Sequence, residues 1–151
     1  FNLHHKCSYM TLKVFKAIWF LSLVIFLGVF MYNYASLPET ITVLESETPF
    51  SLTRDALFYC VLAVAAIFNL FVFVINKLFA VQLGFRAWFY GLVISLNIFL
   101  IIGVNFVALY NSAEKFDYQA IGPIIYGGIV LVVGWAISWP LYAVARKLFS
   151  K

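Results

Sequence analysis

Charge is what this sequence has least of. Only 11% of its 151 residues are Asp, Glu, Lys or Arg, against about 25% in an ordinary soluble domain. Cysteine and histidine are scarcer still, with two of each. Cys7 precedes the first apolar run and Cys60 lies inside the second, so they fall on opposite sides of a membrane, farther apart than a disulfide allows. That excludes a paired-thiol oxidoreductase and an outer-loop disulfide framework. His4 and His5 both belong to the terminal tail, so His and Cys can build no metal or haem site among the apolar runs. No cofactor is therefore expected. Ionisable residues at mid-membrane depth mark proton relays and substrate paths, and this chain has none. A proton-coupled exporter and an intramembrane acid–base enzyme are both disfavoured. No phosphate loop or nucleophile elbow occurs.

Apolar residues fill the space left by charge: 65% of the chain is hydrophobic and 20% aromatic. They fall into four runs, about 14–34, 57–76, 88–110 and 121–145. Each holds about 20 residues or more, enough for a helix to cross a hydrocarbon core of about 30 Å. Lys16, near the start of the first, has a side chain long enough to reach the interface. The expectation is an all-α integral membrane protein, a four-helix transmembrane bundle forming one domain over residues 1–151. The net charge of +4 does not point to nucleic acid, because the basic residues flank apolar runs instead of forming a surface patch.

Charge placement orients the bundle. Lys6, Lys13 and Lys16 stand at or before the first run, Lys77 and Arg86 between the second and third, and Arg146, Lys147 and Lys151 at the end. The first loop holds Glu39, Glu45, Glu47 and Asp55 against Arg54, and the third holds Glu114 and Asp117 against Lys115. Basic-rich and basic-poor segments alternate at every crossing, so the positive-inside rule places both termini in the cytoplasm. The expected location is a bacterial cytoplasmic (inner) membrane. Met10 is a candidate start, and the first run exceeds the 7–15 residues of a signal-peptide core, so it is expected to stay uncleaved.

The polar residues inside the runs are amides and hydroxyls. Asn69 and Asn97 lie at matching depths on antiparallel neighbours and can bond to each other; Asn105, two turns from Asn97, shares its face, with Tyr59 as a candidate partner. The simplest reading of Asn69, Asn97 and Asn105 is helix glue, and the alternative is a polar face for a transported solute or lipid. Gly91 and Ser95 form a small-residue pair, and Gly127, Gly134 and Ser138 form a stripe where a neighbouring backbone can approach. Gly127, Gly128 and Pro140 make the fourth run the one expected to bend. Trp135 and Trp139 read as packing or interface anchors.

The first outer loop spans about 22 residues. Ile41 and Val43 alternate with Thr40 and Thr42 as a short strand, expected to pair with the third loop or with another protein's sheet. Ser51 or Thr53 is placed to cap the second helix, with Asp55 in its first turn. The run Tyr34-Ala-Ser-Leu-Pro-Glu-Thr-Ile41 resembles the Leu-Pro-x-x-Ile-Pro stretch of an uncharacterised four-helix bacterial membrane family. Where that family continues with Pro, His and Gly, this sequence has Thr42, Val43 and Leu44, and the resemblance implies no chemistry. Missing chemistry, small size and small-residue faces together suggest a non-catalytic structural or accessory subunit of a larger membrane complex. Its partners would be membrane lipid and other membrane subunits, or further copies of itself, with Glu39, Ile41, Val43, Glu45 and Glu47 as the contact loop. The alternative is a small transporter or lipid-handling protein using the Asn face; catalysis by the outer-loop carboxylates ranks last.

Overall fold

A computed structural model describes residues 2–44, 50–111 and 118–150. Helix α1 (Asn2–Ser36) leads into strands β1 (Thr40–Leu44) and β2 (Phe50–Thr53), followed by α2 (Arg54–Leu78), α3 (Leu83–Tyr110) and α4 (Tyr118–Phe149). All four helices are long and apolar enough to cross a membrane. They overrun the apolar runs that announce them. With 35 residues, α1 is about 52 Å long, and its Lys-bearing first turns continue the same hydrogen-bond ladder beyond the apolar stretch. α4 passes through Gly127, Gly128 and Pro140 as one helix.

Among the described residues, strand β1 finds its mate inside its own loop. Its partner is β2, in the same loop, antiparallel, with Thr40 opposite Thr53, Ile41 opposite Leu52 and Thr42 opposite Ser51. The register shifts between Thr42 and Leu44, which leaves Val43 at a bulge. A strand must satisfy its backbone groups, and the nearest free edge is the segment that sequence reads as a helix start. Ser51 thus belongs to the hairpin, and Thr53 alone caps α2, its hydroxyl accepting from the Ala56 amide at 3.3 Å.

Arg54 ties this hairpin end together. Its backbone amide donates to Glu39 O at 2.9 Å, its guanidinium donates to Leu37 O at 3.2 Å, and it lies 5.0 Å from the centre of the Tyr34 ring. The Tyr34 hydroxyl donates to Asp55 Oδ1 at 2.7 Å. Ile41 is fully buried. The opposite, basic end gathers the start of α1, the α2–α3 turn and the end of α4: His4 and His5 share a surface depression with Leu83 and Gly84, and Arg146 shares one with Gln82 and Gly84.

Helix α3 is the axis of the bundle, packed against each of the other three helices. Its core has two apolar layers. One joins Leu12 and Trp19 of α1 to Val72, Ala87, Tyr90 and Val93. The other joins Phe26 and Phe30 to Ala65 and Val104. α1 lies backbone-close to α3 and meets α2 mainly through large rings: Trp19 sits edge-on to Phe73 at 6.0 Å and Phe30 stacks on Phe58 at 5.1 Å. Outside this core the helices carry large apolar side chains on their outer faces, including Phe20, Leu70, Phe73, Val130 and Leu141. Soluble proteins rarely expose apolar surface on this scale; the arrangement suits a multi-pass membrane protein.

α4 is held by a different device. Trp88 Nε1 donates to Trp135 O at 2.9 Å, and Trp135 Nε1 donates back to Trp88 O at 2.9 Å. The Trp135 ring lies over Gly91, where any β-carbon would collide with it. Gly84 meets Trp139, and Gly128 meets Phe99, with a β-carbon 3.2 Å from Phe99 Cδ2. Gly134 has open space around it. Gly91→Ala is therefore expected to destabilise the bundle by about 1–3 kcal/mol through overpacking, while Gly134→Ala leaves it unchanged. Thermal unfolding of the two variants in detergent measures the contrast.

Candidate functional site

The most elaborate polar constellation lies at the centre of the bundle, where α1, α2 and α3 meet. Asn69 and Asn97 bond to each other twice, Asn69 Nδ2 to Asn97 Oδ1 at 3.0 Å and Asn97 Nδ2 to Asn69 Oδ1 at 3.2 Å. Trp19 Nε1 donates to Asn69 Oδ1 at 2.9 Å, and Asn69 Nδ2 donates to Ala65 O at 2.7 Å. Asn97 Nδ2 also donates to Ser22 Oγ at 3.1 Å, and Ser22 in turn donates to Trp19 O at 2.7 Å. An indole N–H can only donate and a backbone carbonyl can only accept, so Trp19 and Ala65 fix which way the Asn69 amide points. Asn97 is completely buried, and Trp19, Ser22 and Asn69 are nearly so. Each amide hydrogen of Asn69 and Asn97 has an acceptor. In an apolar surrounding such groups are costly unless paired, and here they are paired.

Two smaller clusters flank this centre. Toward the hairpin end, Asn33 Nδ2 donates to Asn105 Oδ1 at 2.9 Å. Asn105 therefore takes its partner from α1, and Tyr59 stays 68% exposed on the outside of α2. The correction follows from the packing: α3 turns this part of its surface to α1 instead of α2. Toward the basic end, Arg86 Nε donates to Asn76 Oδ1 at 2.9 Å, Asn76 Nδ2 donates to the Tyr90 hydroxyl at 2.6 Å, and an Arg86 guanidinium nitrogen donates to Ala80 O at 3.1 Å. These bonds staple the α2–α3 turn. Sequence reading did not pick out Trp19, Ser22, Asn33, Asn76 or Tyr90 as partners. Asn33 and Asn105 do lie within about two turns of the hairpin end in their helices, a depth match that becomes a clue once α1 is known to lie against α3.

The small-residue stripe divides. Gly127 and Gly134 meet nothing within 4 Å, whereas Ser138 turns toward α3, accepting from Trp88 Nε1 at 3.2 Å and donating to Trp135 O at 2.6 Å. Of the candidate contact loop, Glu39 is exposed and Ile41 is buried. Val43 is placed only as part of β1, and Glu45 and Glu47 lie outside the described residues. Among the described residues no three His, Cys, Asp or Glu side chains gather as a metal site.

Two grooves among the described residues lie beside these clusters. One, of about 510 Å³, runs between α1 and α2 over Trp19, Leu23, Phe26, Leu62 and Phe73, with Asn69 among its lining residues. The other, of about 700 Å³, lies between the start of α3 and the end of α4 and is lined by aromatic rings with Gln82, Ser138 and Arg146. No protein-family model matches the chain, and neither a curated protein nor a solved structure matches it significantly.

Replacing Asn97 by Leu leaves an Asn69 amide hydrogen without its acceptor and is expected to lower stability by about 1–3 kcal/mol. Because the two amides act as a unit, changing both Asn69 and Asn97 to Leu costs less than the sum of the two single changes. A double-mutant cycle measured by unfolding in detergent reads the coupling.

Proposed function

We propose that this chain is a non-catalytic multi-pass membrane protein that serves as an accessory subunit, docking through α4 onto another membrane protein. One observation carries the reading: α4 packs on one side only. Within its apolar window 6% of the residues are buried, against 22%, 17% and 22% for α1, α2 and α3. The remaining surface presents Val130, Val133, Ile137 and Leu141 around Gly134. In lipid, helices associate by close packing over small residues, without help from the hydrophobic effect, so a face of this composition suits a partner helix as well as acyl chains. Both termini are assigned to the cytoplasm, on the alternation of basic and acidic segments.

A second reading, lipid handling, draws support from the apolar groove between α1 and α2. Its polar component has little to offer a solute, since Asn69 and Asn97 spend their hydrogen bonds on each other, on Trp19 and on Ser22. A solute would have to rely on Asn105.

Mild detergent extraction of a tagged copy should recover a stoichiometric membrane partner. Gly134→Leu should weaken that recovery at unchanged thermal stability; purification as a lone monomer would remove the subunit reading. A membrane-impermeant maleimide should label Cys7 in a Cys60→Ala background only after the cytoplasmic side is opened, and labelling in intact cells would reverse the assigned orientation.

A further inference from the structure

The groove at the basic end, between α3 and α4, combines aromatic rings with polar side chains. Trp88, Trp139 and Tyr142 form its walls, and Gln82, Ser138 and Arg146 supply its polar atoms. The rings are mutually packed: Trp139 lies 5.9 Å from Trp88 and 5.8 Å from Tyr142, centre to centre. Trp139 also rests against α3 at Gly84, where a β-carbon would stand in ordinary contact, 3.7 Å from Trp139 Cη2. The groove is thus an aromatic slot with Arg146 among its lining residues.

Among the described residues the acids, Glu39 and Asp55, both stand at the opposite end from Arg146. The six acids stand at 39, 45, 47, 55, 114 and 117, before or at the start of α2 or between α3 and α4. The end that holds Arg146 carries instead Lys6, Lys77, Arg86 and Lys147. Arg86 is occupied, bonding Asn76 and Ala80. Gln82 stands at the N-cap of α3 without making a side-chain cap bond, which leaves its amide available. A slot with aromatic walls and a cationic rim, in a protein surrounded by lipid, fits one kind of occupant by charge and by shape.

The geometry points to a binding site for an anionic phospholipid of the cytoplasmic leaflet, its headgroup phosphate on Arg146 and its acyl chains along the apolar faces of α3 and α4. The planar guanidinium fork matches two phosphate oxygens at once, which an ammonium does not. Trp139 and Tyr142 are amphipathic side chains suited to headgroup depth. The inference rests on the membrane-spanning, both-termini-inside reading but not on the presence of a partner subunit.

Native mass spectrometry of the full chain in neutral detergent, with phosphatidylglycerol or phosphatidylcholine added, tests it. The wild type should retain phosphatidylglycerol in preference to phosphatidylcholine, and Arg146→Gln should weaken that retention roughly tenfold or more, the loss expected of a charge-assisted hydrogen-bonded pair. Arg146→Lys should fall between them. Lys147→Gln removes the same charge outside the groove and, at moderate salt, should change retention by less than about twofold, because exposed charges are screened. Equal loss in the Arg146 and Lys147 variants, or equal retention of both lipids, would overturn the site. Tight retention of inorganic phosphate without lipid would overturn the commitment to a lipid. Carbonate extraction of the host membranes separates a failure of the underlying reading: a chain released by carbonate is not membrane-spanning, whereas a chain that resists carbonate and shows no lipid preference refutes the site alone.

Discussion

Three helices of this protein are held in register by one hydrogen-bonded unit. The Asn69–Asn97 amide pair, closed by Trp19 on one side and Ser22 on the other, links α1, α2 and α3 in a place where an unpaired amide would be expensive. Because every amide hydrogen has an acceptor, rotating α3 or sliding α1 by one residue would strand several groups together. The apolar layers above and below, around Tyr90 and Val93 and around Phe26 and Val104, define no unique register by themselves, since many combinations of Leu, Val and Phe pack acceptably. The polar unit supplies the specificity and the layers supply the contact area.

α4 stands outside that unit. Its attachment to α3 uses two indoles that each reach the other helix's carbonyl oxygen, and a glycine that lets one indole lie flat. This is close packing plus these indole hydrogen bonds, with Ser138 as a further acceptor for Trp88, confined to one side of the helix. The rest of α4 is apolar, with glycine exposed where a neighbour can approach. The contrast between three helices joined through one polar unit and a fourth that flanks α3 with most of its surface uncovered is what favours a docking role for α4.

The two ends of the bundle differ in chemistry as well as in charge. At the hairpin end Tyr34 donates to Asp55, Arg54 lies against the Tyr34 ring and donates to Leu37 O, and Ile41 is buried. At the basic end Arg86 is spent on the α2–α3 turn, while Arg146 stands over an aromatic slot. The described acids, Glu39 and Asp55, stand at one end and Arg146 at the other, which is why the lipid-binding inference concerns the basic end.

Length and hydropathy alone determined that there are four long apolar helices, because a run of about 20 apolar residues leaves a chain few other ways to satisfy its backbone. Depth counting along antiparallel neighbours was enough to bring Asn69 and Asn97 together, since residue rise in a helix is fixed. Which helix faces which was not legible. Sequence neighbours suggest α2 as the partner for Asn105, yet α3 turns that surface to α1, so Asn33 takes the bond and Tyr59 does not. The strand at Ile41 was readable from its alternation, but its mate was not, because pairing depends on which free edge lies closest in space. The small residues were likewise visible as a pattern, and only the packing of α4 decided that Gly91 and Gly128 would be covered while Gly127 and Gly134 stayed open. Local spacing is set by covalent geometry and can be counted; the facing of helices is set by how side chains from distant segments fill one another's gaps, which no single segment encodes.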